Sequence, residues 1–439
     1  MSDPVRAFRP GLLTDQYELT MIQAALASGA AQRKCVFEVF ARRLPEGRRY
    51  GVVAGTGRLL EQLGDFRFGD EELADLERRG VVDAPTLRWL ADYRFRGDIT
   101  GYAEGECYLP GSPVLTVEGT FAEAVILETF VLSVLNHDSA IAAAASRMTA
   151  AADQRPCLEM GARRTHEEAG VAAARAAYIA GFAGSSLLAA GARYGVPTIG
   201  TAAHAFTLLH DGEVEAFSAQ VASLGAGTTL LVDTYDVTTG VDNAIKAAGT
   251  ELGAVRLDSG DLVVQAHAVR AQLDRLGARN TKIVVTSDLD EFAIAALAAA
   301  PVDSYGVGTQ LVTGSGAPTA GMVYKLVARE GADGSMVPVA KKSTSKASVG
   351  GRKWALRRRD AEGVADQELL GLGGQPPSGD EYRALQRTLV AGGEIVGTAS
   401  LEDARARHKA SRAELPVTAR QLSRGEAAIP TVMYSEETR

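Results

Sequence analysis

Between Pro156 and Thr309 the sequence repeats one pattern, in which a short apolar run ends in a cluster of Gly, Ser, Thr, Asp, Arg or His. Segments of helical character separate most of the runs. Short β-type runs that alternate with helices predict βα units and a parallel sheet, which binds ligands at the carboxyl ends of its strands. If the sheet closes into a barrel, all the clusters meet at one mouth. The runs are CLEMGARR, VPTIGTAAH, TLLVDTYD, AVRLDSGD, KIVVTSD and SYGVGTQ, which begin at residues 157, 196, 229, 254, 282 and 304.

The unit that follows Asp258 carries the signals of both ends of a helix. Ser259 can cap its start, and Asp261 favours the positive end of the helix dipole. Gly277 ends it, because glycine readily adopts the left-handed conformation that closes a helix. The apolar residues between these points fall on one face, as a buried helix requires: Leu262, Ala266, Val269 and Leu273.

The length of the chain predicts two domains. Its 439 residues exceed the roughly 250 to 300 that one hydrophobic core usually supports. Residues 1–125 form a predicted N-terminal α/β domain, and the polar segment 355–439 is expected to fold back and complete it. Residues 126–354 contain all the runs and form the predicted catalytic α/β barrel.

Composition and charge disfavour several classes of protein. With 46% apolar and 23% charged residues, the chain has the composition of a soluble α/β enzyme rather than a disordered protein. A formal net charge of −8 argues against a nucleic-acid partner, and no unbroken apolar stretch is long enough to predict a membrane partner. The three cysteines lack metal-site spacing, which predicts reduced thiols and a cytoplasmic protein.

His204 is the histidine whose position most suggests chemistry. It lies in GTAAHAF, after a predicted strand end where Gly200 and Thr201 open a loop. An imidazole there could be a general base, a metal ligand or a phosphoryl acceptor. A lone histidine is more often structural, but His204 shares its strand-end position with the Arg and Asp clusters. His210 does not share that position, and His137 is a weaker candidate.

Charged residues lie at the ends of two consecutive runs. Arg256 and Asp258 point to the same side of a strand, and therefore both reach the predicted mouth. The arginine can bind a carboxylate or phosphate through two hydrogen bonds, and the aspartate can hold ribose hydroxyls or a magnesium-bound water. Asp233 is a second strand-end carboxylate. The alternative is an internal ion pair plus a helix cap.

Two further segments could bind phosphate. Gly306, Gly308 and Thr309 present backbone amides at the last strand of the predicted barrel, where phosphate sites recur, although a simple turn would have the same pattern. A basic loop between residues 341 and 353 could close on a diphosphate, and a solvated run of charges is the alternative. Its polar residues are Lys341, Lys342, Ser343, Ser345, Lys346, Arg352 and Lys353.

Several longer motifs follow one another along the chain: LLTDQYELTM, EMGARR, AAYIAGFAGSS, GTAAHAF, VDTYD, VRLDSGDL and GVGT. Their order resembles that of the nicotinate phosphoribosyltransferases, over residues 12 to about 355. The resemblance implies the type II phosphoribosyltransferase fold, an open α/β sandwich domain with an irregular α/β barrel of about seven strands. It also implies an enzyme of NAD biosynthesis that joins nicotinate to 5-phosphoribosyl 1-diphosphate, giving nicotinate mononucleotide and diphosphate. In this family ATP hydrolysis is coupled to the transfer through a phosphohistidine.

The same resemblance assigns roles to individual residues. His204 matches the phosphorylated histidine of the family. Asp233 and Asp258 match residues of its catalytic neighbourhood, and Asp258 would contact Mg²⁺ indirectly. Tyr17 would stack on the nicotinate ring from the neighbouring subunit, which implies a homodimer with shared sites. Mg²⁺ is the implied cofactor and ATP the implied co-substrate. The implied substrate-binding residues are Tyr17, Arg163, Ser185, Thr201, Arg256, Gly306, Gly308 and Thr309.

Other functions compete with this one. Ala183 stands where other family members have an aspartate, and a nicotinamide-specific relative has a carboxylate in this neighbourhood, so Ala183 with Arg163 favours an acid over an amide. A quinolinate phosphoribosyltransferase would need a second group of cations for its diacid, and the sequence offers no obvious additional cluster near Arg163 beyond Arg164. A non-catalytic nucleotide-binding barrel is disfavoured by His204 and the charged strand ends together.

Overall fold

The structure is a computed structural model that describes residues 10–341 and 349–434. The chain divides into two compact units. The first unit comprises Met1–Ala140 and Thr319–Arg439, and the second comprises Ile141–Pro318.

The strands, numbered along the chain, are β1 (Lys34–Ala41), β2 (Gly51–Val52), β3 (Asp98–Tyr102), β4 (Cys107–Tyr108), β5 (Leu115–Thr120), β6 (Cys157–Glu159), β7 (Gly184–Ser185), β8 (Thr229–Leu231), β9 (Ala254–Leu257), β10 (Lys282–Ser287), β11 (Ser304–Val307), β12 (Met322–Glu330), β13 (Met336–Pro338), β14 (Lys353–Arg359), β15 (Ala365–Leu372), β16 (Tyr382–Ala384), β17 (Gln386–Ala391), β18 (Glu394–Ile395) and β19 (Thr431–Met433).

The α-helices are α1 (Gln16–Ser28), α2 (Thr56–Leu63), α3 (Asp70–Arg78), α4 (Ala84–Ala91), α5 (Phe121–Val125), α6 (Glu128–Ala151), α7 (Glu167–Ile179), α8 (Leu188–Tyr194), α9 (His204–Leu208), α10 (Glu213–Leu224), α11 (Val237–Ala248), α12 (Leu262–Arg275), α13 (Glu291–Ala296), α14 (Thr309–Val312) and α15 (Leu401–Glu414). Short 3-10 turns occur at Pro10–Leu12, Ala162–Arg164, Leu297–Ala299 and Val417–Arg420.

The first unit is organised around β1. A seven-stranded antiparallel sheet runs in the order β13-β12-β1-β5-β3-β17-β18, and every residue of β1 after Lys34 is buried. On this strand Phe37 stacks on Tyr324 of β12, with ring centroids 4.9 Å apart. The Tyr324 hydroxyl donates to the backbone oxygen of Ala124 at 2.7 Å. The N-terminal strands and the segment after residue 319 therefore share one core.

The unit boundaries differ from those predicted. The sequence assigned residues 126–140 and 319–354 to the barrel, whereas the structure places both in the first unit. The reason is long-range pairing, because β12 forms a ladder with β1 and the Asn136 amide both donates to and accepts from the backbone of Met322, at 3.2 and 2.7 Å. The divisions therefore fall after residues 140 and 318 rather than after 125 and 354.

The second unit contains a six-stranded parallel sheet in the order β7-β6-β11-β10-β9-β8. If the sheet is read as a ring, its strands follow one another in chain order from β6 to β11, and β11 then pairs with β6, as in an α/β barrel. The ring is open between β7 and β8. A single parallel bridge joins Thr198 to Ser185 and adds a seventh position. The run at residue 196 gives only this bridge, since Pro197 has no N–H to donate to a ladder. The curled half-barrel with additional sheets confirms the predicted fold class.

Helical residues Phe121–Ala151 are long and apolar enough to cross a membrane, the one such stretch among residues 10–341 and 349–434. However, 67% of its most apolar window is buried inside the protein, as in a core helix.

Candidate active site

The interior of the half-barrel is a cavity of about 1050 Å³. Successive side chains of a strand point to opposite faces, so Arg256 faces inward while Val255 and Leu257, both 0% exposed, face the surrounding helices. The inward residues recur at every second position of the strands: Leu158, Ala254, Arg256, Lys282, Val284, Thr286, Ser304 and Gly306. Most of the candidate residues therefore lie at this one cavity, as the predicted convergence of the strand ends requires. Those that line the cavity are Arg163, Thr201, Arg256, Asp258, Gly306, Gly308 and Thr309.

Arg256 gives the cavity a partly buried positive charge. One of its guanidinium nitrogens donates to Thr201 Oγ1 at 3.1 Å, while its buried Nε has no hydrogen-bond partner among the described residues. Burial lowers the pKa of Arg256, and the charge of Arg163 lowers it further, whereas Asp258 and Asp233 oppose the shift. The two arginines therefore repel each other in the absence of a bound anion.

The two carboxylates of the site have different roles. Asp258 lines the cavity and accepts a hydrogen bond from Thr286 Oγ1. Asp233 lies outside the lining, with its side chain 2% exposed. Its Oδ2 accepts from the backbone N–H of Asp258 at 2.8 Å and from Ser259 Oγ at 2.9 Å. Asp233 therefore holds the loop that presents Asp258.

His204 begins α9, directly after a loop whose residues 198–203 line the cavity. Its imidazole Nδ1 lies 3.1 Å from Thr234 Oγ1. Its Nε2 lies 3.9 Å from Asp233 Oδ1 and 3.9 Å from Asp258 Oδ2, and the side chain is 40% exposed. One ring nitrogen is thus engaged by a hydroxyl, and the other faces two carboxylates and solvent.

The wall at β11 requires glycine. A Cβ atom at Gly306 would lie 2.4 Å from Thr286 Cγ2 and 2.8 Å from Met160 Sδ, both far inside van der Waals contact. Gly308 and Thr309 continue this wall beyond the strand. The missing side chain at Gly306 therefore makes room for Thr286 and Met160, whereas a Cβ atom at Gly308 would meet only the backbone oxygen of Met160, at 3.6 Å.

A buried carboxylate, Glu159, lies at the end of β6, the strand that pairs with β11. Ser185, predicted to contact the substrate, is 0% exposed and donates from Oγ to Glu159 Oε2. The next residue, Ser186, lines the cavity instead, and Ala183 is not part of the lining. Neighbouring side chains of an extended segment point to opposite sides, so Ser186 faces the cavity and Ser185 faces Glu159; the substrate contact of Ser185 stays a prediction.

Tyr17 belongs to the first unit, whereas every residue that lines the cavity belongs to the second. It lies on α1 with 45% of its surface exposed. Burial raises the pKa of its phenol, and the charge of Glu128 adds to the shift. Tyr17 is therefore a neutral, half-exposed aromatic ring at neutral pH.

The predicted basic loop is described only in part, because Lys342, Ser343, Ser345 and Lys346 lie outside the described residues. Arg352 contacts Glu118 at 2.6 Å, and the Lys353 ammonium donates to Glu38 at 2.8 Å with both side chains buried. These two cations are therefore engaged within the first unit.

The cavity also contains residues that the sequence analysis did not assign to the site. The structure adds residues along and just after β10, and residues of the turns that follow β6 and β7. An inward register continued through 282, 284, 286 and 288 would have found every residue of the first group except Ser287. The added residues are Met160, Arg164, Ser186, Lys282, Thr286, Ser287 and Asp288.

The cysteines and possible metal ligands were also located. Cys35, Cys107 and Cys157 are free and buried, and burial raises their thiol pKa to about 11, about 12 and about 12. Among residues 10–341 and 349–434 no group of three or more His, Cys, Asp or Glu side chains could hold a metal ion.

Comparison with known proteins identifies the family. The sequence model for the nicotinate phosphoribosyltransferase (NAPRTase) N-terminal domain matches residues 12–136. The nicotinate phosphoribosyltransferase pncB1 of Mycobacterium tuberculosis (strain H37Rv) is 62% identical over 430 residues, which cover 96% of this chain and 94% of that protein. The chain belongs to the nicotinate phosphoribosyltransferase family. The nicotinate phosphoribosyltransferase of Bacillus subtilis (strain 168) is 37% identical, over 79% of this chain and 72% of that protein.

A solved structure shares the architecture. The crystal structure of human nicotinic acid phosphoribosyltransferase has a TM-score of 0.82 and 27% sequence identity, and covers 97% of this chain and 98% of the human chain. The fold is therefore the type II phosphoribosyltransferase architecture of the nicotinate phosphoribosyltransferases.

Proposed function

We propose that the protein joins nicotinate to 5-phosphoribosyl 1-diphosphate, giving nicotinate mononucleotide and diphosphate, in NAD biosynthesis. One observation carries the proposal, namely that Arg163 and Arg256 line the half-barrel cavity together with Gly306 and Gly308. Two cations and the backbone of Gly306, Gly308 and Thr309, which we term the glycine wall, suit a reaction in which one substrate carries a carboxylate and the other carries phosphates.

The roles of the cavity residues follow from their chemistry. We assign Arg163 to the nicotinate carboxylate, and Arg256 with Thr201 to a phosphate of the second substrate. The backbone at Gly306, Gly308 and Thr309 then faces the 5′-phosphate. Asp258 faces the ribose, where transfer at the anomeric carbon develops positive charge.

The residues present fit Mg²⁺ that arrives with the diphosphate rather than Mg²⁺ in a protein cage. Magnesium usually keeps several waters and uses one or two carboxylates together with substrate phosphates. Asp258 on the cavity wall and the buried, unpaired Oδ1 of Asp233 are such carboxylates. When bound, the ion would neutralise charge on the departing diphosphate. Asp258 would then hold a water of the ion, and Asp233 would keep Asp258 in place.

ATP coupling is the second part of the proposal, with His204 as the phosphorylated residue. Thr234 engages Nδ1, so Nε2 is the nitrogen available as a phosphoryl acceptor. For Nε2 to accept the phosphoryl group, with ADP as the leaving group, Nδ1 would carry the ring proton and donate it to Thr234 Oγ1. Asp233 and Asp258 each lie 3.9 Å from Nε2.

The assembly and location are also proposals. A homodimer would allow the half-exposed ring of Tyr17 to stack on nicotinate bound by the partner. The buried free cysteines suit a reducing cytoplasm.

The test is product formation from 5-phosphoribosyl 1-diphosphate and Mg²⁺ with nicotinate, nicotinamide or quinolinate, each with and without ATP. Nicotinate mononucleotide formed faster with ATP is the expected result. Quinolinate is included because Arg164 lines the cavity next to Arg163 and could bind a second carboxylate. Turnover of another base would refute the assignment of Arg163, and no turnover despite ligand binding would support a non-catalytic barrel.

A further inference from the structure

Glu159, the last residue of β6, is a fully buried carboxylate beside the cavity wall. Its Oε2 accepts a hydrogen bond from Ser185 Oγ, and its Oε1 accepts one from the backbone N–H of Gly161. The N–H of Ala162 also donates to this carboxylate. Burial raises the pKa of Glu159, and these hydrogen bonds rather than a cation oppose the shift.

Every donor around Glu159 is oriented to serve an ionised carboxylate. Ser185 Oγ accepts from the N–H of Leu187 at 2.9 Å, which leaves its own proton for Glu159. The two backbone N–H groups can only donate. A protonated acid or an amide at this position would therefore turn a hydrogen towards a donor, at the cost of leaving a buried group unpaired.

Glu159 joins two turns that both contribute to the cavity wall. The first, Met160–Arg164, which we term the arginine turn, carries Arg163 and Arg164 on a 3-10 turn. The second, Ser185–Leu187, which we term the serine turn, places Ser186 in the cavity. The backbone of Glu159 also accepts from the N–H of Ser186 at 2.8 Å.

We propose that Glu159 is a positioning residue that fixes the arginine turn against the serine turn, and that recognition of an anionic base depends on it. The inference rests on the proposed function, in which Arg163 binds the carboxylate of nicotinate. A guanidinium on a loosened turn would still attract an anion but would lose the orientation needed for two parallel hydrogen bonds.

The main test is steady-state kinetics of Glu159→Gln and Ser185→Ala with all substrates varied. Groups that orient a metal ligand from behind typically contribute about 10- to 100-fold to affinity or activity, and we take the same scale for a group that orients a ligand-binding arginine. We expect the KM for nicotinate to rise by about tenfold or more in Glu159→Gln, and less in Ser185→Ala, which keeps the carboxylate. The KM for 5-phosphoribosyl 1-diphosphate should stay within about twofold, because Arg256 and the glycine wall are untouched. Calorimetric nicotinate binding should weaken by the same factor as KM rises.

The matched control is Glu213→Gln, in the same unit. Glu213 is also buried, accepts a hydrogen bond from Asn243 at 3.0 Å and does not line the cavity. It should lose stability without a selective change in the KM for nicotinate. Equal changes in all KM values in Glu159→Gln, or a wild-type KM for nicotinate, would overturn the proposal.

A second readout does not depend on activity. Amide hydrogen exchange in the ligand-free protein should accelerate at residues 160–164 and 185–187 in Glu159→Gln and Ser185→Ala, and not in Glu213→Gln. Unchanged exchange in both turns would refute the positioning role even if the wild-type protein were inactive. Accelerated exchange in the two variants, together with a wild-type protein that makes no nicotinate mononucleotide, would instead refute the proposed function alone.

Discussion

The two ring nitrogens of His204 have different surroundings, which makes the proposed ATP coupling testable at one residue. Removal of the imidazole in His204→Ala should abolish the stimulation by ATP and leave slow transfer, because Arg163 and Arg256 would still bind the substrates. The measurement is the initial rate of nicotinate mononucleotide formation with and without ATP.

The control for this change is His210→Ala. The His210 ring contacts the backbone oxygen of Phe206 at 2.9 Å and has no contact with the two carboxylates of the site. ATP stimulation should persist in that variant. If His204→Ala also kept its stimulation, the phosphohistidine assignment would be wrong.

Thr234 gives a second prediction at the same site. Thr234→Val keeps the shape of the side chain but removes the hydroxyl 3.1 Å from His204 Nδ1. The ring would then lose the contact that selects its orientation and tautomer, so ATP stimulation should fall severalfold while ATP-independent transfer changes little. An unchanged ratio of stimulated to basal rate would show that Thr234 does not orient His204.

Arg256 should act on the phosphorylated substrate. Arg256→Ala removes a hydrogen bond to a charged group, a loss of about 1.5–3 kcal/mol, or roughly 10- to 100-fold in binding. We expect the KM for 5-phosphoribosyl 1-diphosphate to rise by that factor, with a smaller rise for nicotinate. Arg270→Ala is the control, since Arg270 pairs with Asp274 outside the cavity. A rise confined to nicotinate would contradict the assigned role.

At the scale of secondary-structure elements, the wall at β11 depends on a missing side chain. In Gly306→Ala the new Cβ would lie 2.4 Å from Thr286 Cγ2, so β10 and β11 must separate or Thr286 must rotate away from Asp258. Overpacking of this kind costs about 1–3 kcal/mol of unfolding free energy. We expect a lower urea midpoint and a lower kcat/KM. Gly64→Ala, where the added Cβ meets no atom within 4 Å, should lower neither.

The strands of the second unit were predictable because their signal is local. Alternation of inward Arg256 with buried Val255 and Leu257 fixes which side chains enter the cavity. The cap of α12 was less well predicted, because Asp261, not Ser259, accepts from the N–H of Val264. Ser259 instead donates to Asp233, a residue of another strand end that the local sequence cannot reveal.

At the scale of the whole molecule, the structure contains contacts between segments distant in sequence that local sequence patterns do not predict. In the first unit the Arg357 guanidinium is fully buried and donates to Glu368 at 3.0 Å and to the backbone oxygen of Cys107 at 2.8 Å. Tyr102 donates to the same carboxylate at 2.7 Å, across 266 positions of sequence. The alternation of polar and apolar residues predicts Arg357 as a polar residue of a strand. It does not predict that the partners of Arg357 are buried.

The C-terminal helix of the first unit makes stability depend on pH. His408 on α15 is 2% exposed, and burial, with the nearby charge of Arg412, lowers its pKa to about 3. An unfolded histidine has a pKa of about 6.5, so below that pH the unfolded chain binds a proton that the folded protein does not bind. The contribution of His408 is therefore complete above about pH 6.5 and falls by about 1.4 kcal/mol per pH unit as the pH decreases towards 3.

Replacement of His408 by a residue that does not titrate should remove this dependence. In His408→Gln the unfolding free energy between pH 6.5 and 5 should fall by about 2 kcal/mol less than in the wild-type protein. Urea titrations of both proteins across this pH range measure the difference directly. The carboxylates elsewhere make the same contribution to the pH dependence of both proteins, so their contribution cancels from the difference. His267→Gln is the control, since His267 is exposed and should keep the wild-type slope. Parallel curves for wild type and His408→Gln would mean that His408 is protonated in the folded protein, and the buried face of α15 would then have to admit a counter-charge such as Glu106.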